Sequence, residues 1–133
     1  MTGEPLTELE RRVLYLLLAG EDPVLNVLRR QLLQCRATRR EMTGVGFFTD
    51  LHVPHATPRL QNRSRLVFGD VQAHMAGLAH GAGFLVFVEQ GALTMLEGYT
   101  NGDEKWPDRV EDLRITYEGG TRDMEALRRQ WLE

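Results

Sequence analysis

Apolar residues recur through the first part of the chain at helical spacing. Leu6, Leu9, Val13, Leu16 and Leu17 share one arc, and Leu14 and Leu18 widen it. Thr7 and Glu10 have the spacing of a capping box, in which hydroxyl and carboxylate each satisfy an orphan backbone donor of the first turn. Gly20 is placed to end this helix in a left-handed conformation. So wide an arc predicts cover on more than one side, by sheet and helix or by a second subunit. Leu14 and Leu18, at its margin, are accordingly the expected contacts of a homodimer. Asp22-Pro23 then signals a second helix, with a capping carboxylate and a proline at the first helical position. Its buried stripe is Val24, Leu25, Leu28, Leu32 and Cys35, and its late arginines complement the helix dipole.

After Arg40 the period changes to two. Val45, Phe47, Leu51 and Val53 share one face of a strand over Gly44–Val53, and Phe48, Asp50 and His52 share the other. Pro54–Asn62 reads as a loop, and Arg65–Met75 alternates again. Gly83–Val88 is apolar on both faces, as a central strand should be, and Glu89-Gln90-Gly91 turns the chain into Ala92–Thr100. After a polar loop, Asn101–Asp112, a last strand is marked by Leu113, Ile115 and Tyr117. Thr121 is then the expected cap of a final helix carrying Met124, Leu127 and Trp131. The order is ααβββββα: one α+β domain over residues 1–133, a mostly antiparallel sheet of about five strands, and helices on one face. The connections are too short for parallel crossovers.

Composition supports an ordinary folded domain. Of 133 residues, 42% are hydrophobic and the formal charge is −3, which argues against disorder. The longest apolar run, Val13–Ala19, is far shorter than the roughly 20 residues of a membrane helix. The N-terminus has no basic-then-apolar leader pattern, and the lone Cys35 has no disulfide partner within the chain, so a cytoplasmic setting is expected.

The charge is unevenly spread. Residues 29–66 carry eight arginines and two acids, whereas residues 89–118 carry eight acids and three bases. Segregation of this kind marks either a partner-facing surface or two halves that neutralise each other in the fold. The cluster Arg29–Arg40 has no interleaved aromatics and the pI is about 5.8, so nucleic acid is not the expected partner. Within Asn101–Asp112, Asp103, Glu104 and Asp108 surround Trp106. Trp106 reads either as an interface anchor with an acidic steering rim or as a lid folded back on the sheet.

Candidate chemistry is sparse. Asp50 and His52 leave one strand face together, with His55 just beyond and Asp70 and His74 on the next strand. Such groups would bind a metal only if neighbouring strands brought them together; otherwise they form a solvated sheet face, and no metal is expected to be needed for folding. Glu97, between apolar residues in Leu96-Glu97-Gly98-Tyr99, is either a base of raised pKa or a structural or edge charge. With Asp70, and His52 nearby, it is the alternative catalytic set, that of a small hydrolase. Cys35 sits on an apolar stripe and reads as a buried structural thiol. No cofactor is implied: Gly81-Ala82-Gly83 precedes a strand instead of opening a helix, and Lys105 is the only lysine.

The segments Thr43-Gly44-Val45-Gly46-Phe47-Phe48-Thr49, His80–Val88 and Leu96–Thr100, with Trp106-Pro107, resemble a family of small uncharacterised bacterial proteins over roughly residues 7–117. The resemblance implies a bacterial origin. In size, acidity and α+β plan the chain is also similar in style to immunity proteins that neutralise toxins. The expectation is a non-catalytic binding or protein-interaction module, with a protein partner and no membrane.

Overall fold

The computed structural model describes residues 3–131. Helix α1 (Glu8–Leu17) starts at the capping box: the Thr7 hydroxyl accepts the Glu10 N–H at 3.1 Å and the Glu10 carboxylate accepts the Thr7 N–H at 2.8 Å. Helix α2 (Pro23–Gln34) starts where Asp22 accepts the Val24 N–H at 2.8 Å, with proline at its first position. It stops one residue before Cys35. The chain then enters β1 (Arg36–Met42), β2 (Gly46–His52), β3 (Leu66–Phe68), β4 (Val71–His74), β5 (Ala82–Glu89), β6 (Ala92–Thr100) and β7 (Arg114–Tyr117). Helix α3 (Met124–Trp131) follows, and its cap is Asp123, which accepts the Ala126 N–H, not the expected Thr121.

All strand pairings are antiparallel, in the order β1-β2-β6-β5-β4-β7, with β3 beside β4 along β5. The α+β plan is as expected, but the described residues form seven strands where about five were expected. Two physical causes account for the difference. Strand β1 is a charged edge in which only Ala37 is buried, so it lacks the apolar alternation that would reveal it. The stretch Arg65–Met75 breaks at Gly69-Asp70, where β3 leaves the far half of β5 and β4 takes up the near half. A Cβ on Gly69 would lie 2.0 Å from the Phe84 carbonyl oxygen, so only glycine passes there.

The sheet has one covered and one uncovered face. Phe47, Thr49, Leu96, Phe84 and Val86 face the helices and are buried, whereas Phe48, Met95, Glu97 and Leu85, in register beside them, are half-buried. Helix α1 packs on β4, β5 and β7 and against α2, while α2 packs on β6 and α3 on β3. Leu14 and Leu18 are 0% exposed and belong to this core. The wide arc of α1 is therefore covered within the chain, which corrects the expectation that these two leucines form a subunit interface.

Gln31 pins α2 to the sheet. Fully buried, its amide donates to the Pro58 and Gly91 carbonyls and accepts the Leu93 N–H, at 2.9–3.0 Å. One side chain thereby satisfies backbone groups of the 54–62 loop and of the β5–β6 turn. Gln31→Leu keeps the shape but leaves the buried Leu93 N–H without its acceptor, while the Gly91 carbonyl retains the Leu60 N–H, and should lower the unfolding free energy by about 1–3 kcal/mol. Urea titration checks this; a loss below about 0.5 kcal/mol would show that water replaces the amide.

Candidate functional site

The most elaborate polar arrangement in the chain lies between the first turns of α1 and the β1–β2 edge. Glu10 is 3% exposed and accepts four hydrogen bonds. Its Oε1 takes the Thr7 N–H and the Arg40 Nη2 (both 2.8 Å), and its Oε2 takes the Arg40 Nε (2.9 Å) and the Thr49 hydroxyl (2.7 Å). Arg40 and Thr49 are cross-strand partners on the covered face, so sheet register delivers both to one carboxylate. Arg40 also reaches Glu4 and the Pro5 carbonyl. Burial alone would push the Glu10 carboxyl up. The Arg40 guanidinium, the Thr7 amide and the Thr49 hydroxyl outweigh it and hold the carboxyl below its ordinary value. Glu10 is thus held charged at neutral pH, with both oxygens already occupied by donors of the chain.

Beside this network runs a groove of about 520 Å³, inside the size range of small-ligand and side-chain pockets. Leu9, Met42, Phe47, Trp106, Val110 and Leu113 give it an apolar lining, the paired Glu10, Arg40 and Thr49 form one side, and Glu8, Arg12 and Asp112 also line it. Phe47 lies directly on Gly98, its cross-strand partner, where a Cβ would come within 2.3 Å of the ring. Trp106 meets Phe47 edge-on at 5.1 Å between ring centres and Phe84 at 6.4 Å, and its backbone N–H donates to the Gly44 carbonyl at 2.8 Å. At 6% exposure Trp106 is a lid on the sheet, not an exposed anchor. Its neighbours divide. The Glu104 carboxylate is occupied by the Ala79 and His80 N–H groups, while Asp103 and Asp108 are exposed, Asp108 facing Lys105 at 3.8 Å.

The other candidate groups are not brought together. Asp50 and His52 lie on β2 and His74 on β4, with β6 and β5 between them, a separation of about 14 Å. Among the described residues no three His, Cys, Asp or Glu side chains converge on a possible ion. His55 is exposed in the following loop. Asp70 sits in the β3–β4 break and is held by Arg122 through two bonds of 3.0 and 3.1 Å. Arg122 continues to the Leu17 and Ala19 carbonyls, so Asp70 turns toward the helices. Glu97 stands on the uncovered face opposite Phe48 and Leu85, and burial beside them raises its pKa. Asp70 and Glu97 therefore do not form a carboxylate pair, and His52, on β2, is not part of one. Cys35 is buried and its thiol is pushed up to about 12 by desolvation, which keeps it protonated and unreactive.

Pattern reading finds Glu10 only as a cap and misses its pairing with Arg40 and Thr49. A usable signal exists: Thr49 is the single polar residue on the alternating face Val45, Phe47, Thr49, Leu51, Val53. A hydroxyl on a buried face demands a polar partner.

Two substitutions separate these carboxylates. Glu10 has a lowered pKa in the fold, so its contribution is complete above the ordinary carboxylate range and disappears as pH falls through the lowered value. Glu10→Gln should cost about 1–3 kcal/mol at pH 7, and the cost should shrink steadily as pH is lowered below the ordinary carboxylate range, read from denaturation over a series of pH values. Glu97 has a raised pKa, so its charge is unfavourable once pH exceeds that value. Glu97→Gln should raise Tm at pH 7 and have no effect below pH about 4; a fall in Tm at pH 7 would reveal a stabilising partner. No family model, curated protein or solved structure matches this chain.

Proposed function

We propose that the chain is a non-catalytic binding module of a bacterial cytoplasm, holding an apolar-anchored segment of a protein partner in the groove beneath Trp106. The observation that carries this reading is the state of the charges beside the groove. Glu10, Arg40 and Thr49 are spent on one another, which leaves a preformed apolar site with no free acid, base or nucleophile at its floor. Such a surface favours burial of a side chain over proton transfer. Met42 and Val110 are 62% and 40% exposed at its mouth, where a partner would cover them. Glu8 and Asp112 stand against Arg12 around the groove, and with Asp103 and Asp108 on the adjoining loop the balance is acidic, which favours a segment whose anchor is flanked by basic residues. The competing hydrolase reading is left with Glu97 as its one perturbed carboxyl, on the opposite face from the groove.

Selection of displayed random peptides on the chain tests the module. Enriched sequences should bind with an apolar residue beside Arg or Lys, and Val110→Arg and Met42→Arg should each weaken them about tenfold or more with Tm unchanged. Enriched peptides that bind both variants as tightly as the parent would remove the groove from consideration.

A further inference from the structure

The two most exposed large apolar side chains among the described residues are Leu33 (81%) and Tyr15 (66%). They come from different helices and share one trough. Both line a depression of about 520 Å³ floored by Leu16, Leu32 and Ile115, which continues into a second of about 400 Å³. Neither residue lies on the stripe that its helix buries, so folding the chain does not account for them.

The trough is bordered by arginines. Arg11 and Arg12 line it from α1, Arg29 and Arg30 from α2, and no carboxylate lines either part. Arg11 donates to the Leu6 carbonyl, and Arg29 to the Leu18 and Gly20 carbonyls. These bonds hold the two guanidinium groups in place without neutralising them, because a carbonyl carries no net charge. Arg12 and Arg30 are exposed and have no ion pair or hydrogen bond among the described residues. An apolar floor beneath four uncompensated cations is complementary to one chemistry.

We infer that the α1–α2 trough is a second docking site, which receives an acidic segment of a protein partner through an aromatic or aliphatic anchor seated between Tyr15 and Leu33. The anchor buries the two exposed side chains, and Asp or Glu residues on either side of it pair with Arg12 and Arg30. A concave seam between two helices suits a protruding side chain better than a flat lipid surface. The site is separate from the groove beneath Trp106, although Arg12 borders both.

The test uses the whole 133-residue chain and an array of peptides about 16 residues long, enough for four helical turns. Net charge and apolar content vary independently, and binding is read by fluorescence anisotropy. Binding should require negative charge and a Trp, Phe or Leu together, and should weaken as salt is raised. Leu33→Asp and Arg30→Glu should each reduce it about tenfold or more. Both residues are exposed, so unchanged circular dichroism and Tm should show the variants to be folded. Val110→Arg, in the other groove, should leave it intact, which keeps the fate of this site distinct from that of the first. Four results would overturn the inference: no saturable binding by any acidic peptide; equal binding of neutral or basic peptides; binding of phosphatidylglycerol vesicles in place of peptides; or a self-association abolished by Leu33→Asp in a chain that binds no peptide.

Discussion

The seam where α1 meets β1 and β2 depends on a single carboxylate kept charged away from water. Removing Glu10 from solvent is costly, and an ion pair alone seldom compensates for that cost. Here the geometry completes the compensation. All four hydrogen bonds come from the helix cap and from one cross-strand pair: one from the Thr7 N–H, two from Arg40 and one from Thr49. Because the same carboxylate also starts α1, and Arg40 also grips Glu4 and the Pro5 carbonyl, one point ties the segment before α1, the helix and the edge of the sheet. The groove is lined in part by these same groups, whose charges are already paired with one another.

Arginine does a second kind of work in this chain. Helix α1 has no basic residue in its last turn, yet the carbonyls at its end are not left bare. Arg29 from α2 takes those of Leu18 and Gly20, and Arg122, just before α3, takes those of Leu17 and Ala19 while holding Asp70. Arg59 does the same for the Val53, Pro54 and Thr57 carbonyls of its own loop. A planar guanidinium with five donors suits carbonyls converging from several directions, which a lysine could not serve as well. Much of the arginine content is thus internal carpentry. Among the described residues Arg12 and Arg30 have no such duty, and unlike the equally unpaired Arg109, Arg114 and Arg129 they border an apolar trough.

The placement of acids makes the same distinction. Glu10, Asp22, Asp70 and Glu104 are all committed to caps, turns or arginines, Asp22 serving both α2 and Arg128. Glu97 is perturbed only because it stands among apolar neighbours on an uncovered sheet face. Its one titratable neighbour of note is Tyr99, two residues along the same face, whose own pKa is raised by burial and by the charges of Glu118 and Glu97. Two grooves with exposed apolar residues and charged rims are a basis for binding.

The sequence by itself determined what depends on near neighbours. Thr7 with Glu10, and Asp22 with Pro23, start their helices because capping acts over three residues or fewer. The alternation in Gly44–Val53 and the apolar run Gly83–Val88 give the central strands, because a half-buried and a fully buried strand each leave their own pattern. Cys35 is buried as expected, but at the extended residue after α2 and not on the helical stripe that predicts its burial. Tertiary structure alone decided the rest. Strand β1 exists because β2 offers it an edge, and its exposed side chains record nothing of that pairing. Leu14, Leu18 and Trp106 are apolar whether covered by this chain or by another, so only the packing shows that this chain covers them. Arg40 and Glu10 are 30 residues apart, and Leu33 and Tyr15 lie on separate helices. Each pair acquires its meaning from a distance in space that one-dimensional periodicity does not encode.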